Sequence, residues 1–153
     1  MERLELSKKL LMQARKMTLS LAASVIIYGV VGAYLIRLGK AGPAILSEQM
    51  YPVVKYGGWS LAVLAWWMMR RASERVLTGA EGVLALERRP QKLLVATIVQ
   101  CAAAEFAVLL GMALMFLSCR VDDYLPFALI SLVGFVFAFP RKERWSAWLG
   151  VNL

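Results

Sequence analysis

The apolar positions of the chain fall into four long runs that are separated by charged segments. Each run contains close to the roughly 20 residues that a helix needs to cross the ~30 Å hydrocarbon core of a bilayer. The pattern predicts an all-α, polytopic membrane protein with four transmembrane helices in a single membrane domain. The four predicted spans cover residues 17–36, 51–69, 93–119 and 121–139.

The segment before the first run has a helical pattern of its own. Within residues 1–16, Leu6, Leu10 and Ala14 recur at helical spacing between charged side chains. This spacing is typical of a short N-terminal interfacial helix that leads into the first span. A charged segment that only stops insertion would have the same pattern, so both interpretations stay open.

The middle segment, residues 70–92, is predicted to be a short, helical cytoplasmic loop. Thr78 and Gly79 are expected to end the second helix. Thr78 followed three residues later by Glu81 fits a capping box, and Pro90 is expected to open the third helix at a first-turn position.

Composition supports a membrane protein and removes several kinds of chemistry. Hydrophobic residues make up 60% of the chain, and histidine is absent, which excludes imidazole-ligated haem, Cys/His zinc sites and a Ser-His-Asp triad. Cys101 and Cys119, about 27 Å apart on one helix, cannot form a disulfide with each other. Asp122 and Asp123 are expected to form an exposed, solvated turn. We therefore expect a protein that is not an enzyme and needs no cofactor or metal.

The distribution of positive charge predicts the orientation. Of the 18 Lys and Arg residues, 14 flank one side of the predicted spans, which places both termini and the middle loop in the cytoplasm. The net charge of +8 fits anionic lipid better than nucleic acid, because the basic residues border the spans. The predicted anionic-lipid contacts are Lys8, Lys9, Arg15, Lys16, Arg70 and Arg71.

Glu105 is the one acidic residue near the middle of a predicted span. A charge at that depth is costly, and the sequence places no Lys or Arg at the same level. We therefore expect a protonated Glu105. Counting to the middle of the other spans gives Tyr28, Ser60 and Ser131, whose hydroxyls are predicted to form a polar layer that hydrogen-bonds Glu105.

The third predicted span has a second distinctive face. Ala103, Ala107 and Gly111 form a small-residue stripe on nearly the opposite side of the helix from Glu105. Four helices joined by short loops enclose both faces only partly. This two-sided helix predicts association with another chain, as a homo-oligomer or as part of a larger membrane complex.

Residues 94–116 resemble the second helix of the proteolipid c subunit of rotary ATPases. The similarity consists of Glu105-Phe-Ala-Val-Leu-Leu-Gly111, preceded by the basic-Pro-Gln segment Arg88-Arg89-Pro90-Gln91. In that family a mid-membrane acid carries H⁺ or Na⁺, so the resemblance implies an ion-binding role for Glu105. It does not extend to the first span, which lacks the glycine ladder of that family.

Residues 97–149 resemble a set of small four-span bacterial membrane proteins of unassigned function. The matching positions are Thr97-Ile98-Val99-Gln100, then Glu105, then Phe139-Pro140-Arg141-Lys142-Glu143-Arg144 and Trp148-Leu149. The resemblance implies the four-span architecture and a bacterial inner-membrane location, and it implies no activity.

Two functional hypotheses follow. In the first, the chain is a non-enzymatic membrane subunit and Glu105 is a buried protonatable anchor between helices. In the second, the chain is a proton- or cation-coupled transporter or channel element, and Glu105 is the ion-binding carboxylate. Glu105→Gln separates them, because an amide keeps the shape and hydrogen bonds of the acid and cannot exchange a proton.

Overall fold

The computed structural model describes residues 2–40, 42–78 and 83–150, and within these ranges it contains helices and no strand, as the sequence predicts. A short 3-10 turn, Val121–Asp123, precedes the fourth α-helix. The helices are α1 (Glu2–Arg37), α2 (Met50–Thr78), α3 (Val83–Ser118), α4 (Tyr124–Ala138) and α5 (Lys142–Leu149).

Three stretches of these helices are long and apolar enough to cross a membrane. They are Leu4–Arg37, Arg89–Ser118 and Val121–Ala138. The four-span prediction is confirmed for these three and not for α2. Helix α2 is long enough, but Pro52, Lys55 and several Tyr, Trp and Gly residues lower its hydropathy.

Helix α1 is continuous, so the chain has no separate interfacial helix at its N-terminus. Its 36 residues give a length of about 54 Å at ~1.5 Å per residue, well beyond the hydrocarbon core. No Gly or Pro interrupts residues 2–28, which removes the usual reasons for a break. Leu11 and Ala14 are buried in a cluster with Leu93 of α3 and Trp145 of α5.

The start of α3 differs from the prediction. The helix begins at Val83, and Pro90 lies inside it, buried, instead of opening it. The residues before Pro90 are mostly Leu, Ala, Glu and Arg, which favour helix strongly enough to form two turns ahead of the proline. Thr78 ends α2 as expected, whereas the capping partner Glu81 and Gly79 lie outside the described residues.

Helix α3 is the centre of the bundle, with α1, α2 and α4 packed around it. Helix α1 runs parallel to α3, since Thr18 lies beside Cys101 and Ser24 beside Glu105. Together with α4, these two helices enclose a core that includes Val25, Val108 and Met115.

Helix α2 runs antiparallel to α3 along most of its length. At one end the Gln100 amide donates to the Ser73 hydroxyl at 2.9 Å. Just before the other end of α2, the Ile45 backbone N–H donates to the Leu117 carbonyl at 3.0 Å. We call these the Ser73 end and the Asp123 end of the bundle.

The small-residue stripe of α3 is buried inside this chain. Ala103 and Ala107 are 2% and 1% exposed, and a Cβ added at Gly111 would lie 2.6 Å from the Cβ of Phe127 in α4. Ala107 also shares a buried cluster with Ala62 of α2. The stripe therefore contacts neighbouring helices of the same chain, and it supplies no argument for a second chain.

Helix α5 is absent from the sequence prediction. Its eight residues mix charged and aromatic side chains and lack a long apolar run, so they have no spanning pattern. Trp145 and Leu149 are nevertheless buried, because they close the Ser73 end of the bundle against α1 and α3.

Candidate functional site

Glu105 lies near the middle of the candidate span Arg89–Ser118 and is half-buried. Its carboxyl faces α1, where the Ser24 hydroxyl lies 3.3 Å from Oε1 and 3.4 Å from Oε2. The same hydroxyl donates to the Leu21 carbonyl at 2.6 Å. Because a hydroxyl carries one proton, Ser24 cannot donate fully to the carbonyl and to the carboxyl at the same time.

Two further polar contacts lie along the same helix junction. One turn toward the Ser73 end, the Thr18 hydroxyl and the Cys101 thiol are 3.5 Å apart and buried. Toward the Asp123 end, the Tyr124 hydroxyl donates to the Val25 carbonyl at 2.5 Å. The α1 junction with α3 and α4 therefore carries a row of hydroxyl and thiol contacts on either side of Glu105.

The predicted polar layer does not assemble around Glu105. Ser60 is exposed on α2 and donates to the Tyr56 carbonyl at 3.0 Å. Ser131 is fully buried, and its hydroxyl finds no partner among the described residues. Tyr28 packs against the α1–α3–α4 core. Counting to the middle of an apolar run gives depth but not the direction in which a side chain points, and Ser24, one turn before Tyr28, takes the position beside Glu105.

No ion pair involves Glu105 within the described part of the chain, where the only salt bridges join Lys55 to Asp123 and Arg70 to Glu74. On its other side, Glu105 borders an exposed apolar strip of α3. The strip consists of Ile98, Ala102, Phe106, Leu109 and Ala113, and we call it the α3 strip.

Asp123 forms a second polar centre, and here the expected solvated turn is wrong. Asp122 is exposed, but Asp123 is 2% exposed and accepts three hydrogen bonds. Lys55 Nζ lies 2.9 Å and the Tyr51 hydroxyl 2.5 Å from Oδ1, and the Ser118 hydroxyl donates to Oδ2 at 2.7 Å. The carboxylate is therefore matched by one cation and two hydroxyls.

The turn between α3 and α4 directs Asp123 inward. Cys119 has a left-handed backbone, with φ of 55°, and the Arg120 backbone N–H donates to the Ser118 hydroxyl at 3.2 Å. The 3-10 turn that follows places Asp123 against α2. The sequence held a signal for this contact: one Lys inside an apolar run and one Asp at the entrance of another, at the same end of their helices.

The predicted lipid contacts lie toward the Ser73 end of the bundle. Arg15 is half-buried and donates through Nε to the Pro140 carbonyl at 3.1 Å, so it helps to close the end of α4. Arg71 stacks over Trp67 at 4.0 Å from the ring centroid. The remaining four, Lys8, Lys9, Lys16 and Arg70, are exposed.

The described residues contain no group of three or more His, Cys, Asp or Glu side chains that could hold a metal ion. The chain matches no protein-family model, no curated protein and no solved structure. Its function therefore has to be argued from the two polar centres, Glu105 and Asp123, and from the surfaces beside them.

Proposed function

We propose that the chain is a non-enzymatic, four-span subunit of the bacterial inner membrane that associates with a second copy of itself through the α3 strip. Glu105 is the protonatable anchor of that interface. The observation that carries the proposal is a half-buried acid at mid-membrane depth, with one serine as its partner, beside an exposed apolar strip.

Helix α2 is proposed as the fourth span. It lies antiparallel to α3 from Ser73 to the Asp123 end, so it covers the same depth if α3 crosses the bilayer. Val53, Leu64 and Met68 are exposed apolar side chains on it, as expected for a lipid-facing surface. Trp and Tyr, which lower its hydropathy, are common near membrane interfaces.

Both termini are proposed to be cytoplasmic, following the positive-inside rule. Single cysteines at Asp122 and Glu74, which are exposed near opposite ends of the bundle, test this orientation in a variant that lacks Cys101 and Cys119. Asp122→Cys should react with an impermeant maleimide in intact cells, and Glu74→Cys only after lysis. The reverse labelling pattern would contradict the proposed orientation.

The geometry around Ser24 leaves the Glu105 carboxyl incompletely hydrogen-bonded. The Ser24 proton lies in the short contact to the Leu21 carbonyl, so Ser24 donates only weakly to either Glu105 oxygen. The rest of the carboxyl is left at the edge of the α3 strip, where lipid tails offer no hydrogen bond.

The Glu105 carboxyl of a second, symmetry-related copy can supply the missing hydrogen bond. In a dimer whose two-fold axis is perpendicular to the membrane, identical residues lie at the same depth and face each other across the axis. Two Glu105 carboxyls can then hydrogen-bond to each other, while Phe106 and Leu109 pack at the periphery. Lipid tails could cover the apolar residues equally well, but they offer no hydrogen bond to the Glu105 carboxyl.

The proton- or cation-coupled alternative is favoured by one observation, the half-burial of Glu105. An acid that is not sealed inside the chain can exchange its proton. Measuring both the dimerisation and the proton or sodium flux of the same variants separates the two functions.

The test measures dimerisation in liposomes by energy transfer between labelled copies. Glu105→Leu should weaken association by about 0.6–2 kcal/mol, the usual range for hydrogen bonds between membrane helices. Glu105→Gln should retain association, and Leu125→Ala, on the exposed face of α4, serves as the control. Unchanged association of Glu105→Leu would refute the anchor. Proton or sodium flux that is lost in an assembled Glu105→Gln would favour the alternative.

A further inference from the structure

A small cavity with polar and apolar side chains in its walls lies at the Ser73 end, between α2, α3, α4 and α5. Its volume is about 80 Å³, and its polar lining comes from Arg70, Ser73, Glu74, Gln100 and Arg144. One water needs roughly 10–15 Å³ measured in the same way, so the cavity has room for a group of several heavy atoms.

The polar lining favours an anion. Among the described residues of the lining, Arg70 and Arg144 against Glu74 leave an excess of one positive charge, and Arg70 Nε lies 3.4 Å from Glu74 Oε1. At the base of the cavity the Gln100 amide donates to Ser73, and Ser73 donates to the Arg70 carbonyl at 2.7 Å. This excess of one positive charge matches the single negative charge of a phosphodiester.

An apolar groove lies next to the cavity, toward the middle of the bundle. It runs between α2 and α4, has a volume of about 370 Å³ and includes Val63 and Val133 in its walls. Trp66, Gly134 and Phe137 line both the cavity and the groove, so the two are adjacent. The Trp66 and Phe137 rings, whose centroids are 6.2 Å apart, contact each other where the cavity and the groove meet.

We propose that the cavity and groove together bind one anionic phospholipid, with its phosphate beside Arg70 and Arg144 and one acyl chain between α2 and α4. The charge excess selects an anionic headgroup, and a basic site beside an apolar groove near the ends of transmembrane helices is suited to a lipid. A free phosphate would leave the groove unused. The site lies away from the α3 strip, so the test of lipid binding is independent of the test of the proposed dimer.

The experiment uses the full-length protein, delipidated in mild detergent and titrated with phosphatidylglycerol or with phosphatidylcholine of the same acyl chains. Native mass spectrometry counts the bound lipids. Phosphatidylglycerol should bind with one tight site and phosphatidylcholine should bind more weakly. Arg70→Gln and Arg144→Gln should each weaken phosphatidylglycerol binding about fivefold, the effect of one basic residue at a lipid surface.

Two controls keep the outcome specific. Lys142→Gln removes an exposed positive charge at the same end of the bundle and outside the cavity, and its effect should be small. Val133→Trp should block the acyl-chain groove and weaken binding, whereas Leu125→Trp, exposed on the same helix outside the groove, should not. Val133→Trp and its control Leu125→Trp keep the basic residues, so they also test the site if an arginine variant fails to fold.

Three results would overturn the proposal. Equal binding of the two lipids would show that the site does not select an anionic headgroup, and an equal loss in Lys142→Gln would show that the weakening reflects general charge. Displacement of the bound lipid by a large excess of inorganic phosphate would identify a phosphate site that does not need the acyl chain.

Discussion

Asp123, in the turn before α4, and Glu105, within α3, are two carboxyl groups in an apolar bundle, and their surroundings differ. Asp123 is enclosed and is matched inside the same chain by Lys55, Tyr51 and a further hydroxyl. Glu105 is half-buried and, among the described residues, is hydrogen-bonded by Ser24 alone. The first acid is paired within one copy of the protein, and we propose that the second is completed by another copy.

Position along the helices explains the difference. At the end of the bundle, a lysine can pair with a buried acid while part of its side chain remains exposed, as the 26% exposure of the Lys55 side chain illustrates. Near the middle of a span, a lysine could not reach water in this way, and burying its charge would cost free energy. Asp123 therefore holds α2 against the start of α4, whereas the proposed role of Glu105 is in the interface with a second copy.

The largest effect is expected from Lys55→Met. This substitution leaves Asp123 buried without its cation, and breaking a buried ion pair in this way costs about 3–5 kcal/mol. Unfolding in mixed micelles of increasing denaturing detergent should show the loss. The double variant Lys55→Met with Asp123→Asn should recover much of the stability, because it leaves no unpaired charge. Equal losses in the single and double variants would mean that the pair contributes little.

A medium effect is expected from Gly111→Leu. A side chain here would collide with Phe127, because even a Cβ lies 2.6 Å from the Phe127 Cβ, and overpacking of this kind costs about 1–3 kcal/mol. Ala113→Leu, exposed on the α3 strip, is the matched control for stability. If both variants unfold at the same detergent concentration, the face of α3 opposite the strip is less tightly closed than the structure indicates.

The smallest effect on stability is expected from Glu105→Gln. The amide retains the shape of the acid and can still exchange hydrogen bonds with Ser24, so the change should stay below about 0.5 kcal/mol. Asp123→Asn in the same assay should cost more, because it removes the partner of Lys55. An equal or larger loss for Glu105→Gln would erase the contrast between the two acids.

The apolar runs are sufficient to predict the helical class and the three helical stretches that are long and apolar enough to cross a membrane. They also identified Glu105, since a mid-span acid is visible without any structure. The end of α2 at Thr78 was likewise readable from the sequence. These features depend on one helix at a time, which is why the sequence alone reveals them.

Most of the features that could not be predicted from the sequence depend on how helices face each other. Choosing Tyr28 in place of Ser24 is an error of one turn, and depth alone cannot correct it. The inward turn of Asp123 requires the left-handed backbone at Cys119 and a lysine on another helix. The position of Pro90 inside α3 reflects helix-forming neighbours that outweigh one proline.

The most direct test of the central claim is disulfide crosslinking across the proposed interface in native membranes. Ala102→Cys lies on the α3 strip, and Leu129→Cys lies on the exposed face of α4. Both are made in a variant whose two natural cysteines are replaced by serine. The account predicts an Ala102→Cys dimer under mild oxidation and little or none from Leu129→Cys. A dimer from Leu129→Cys, with none from Ala102→Cys, would contradict it.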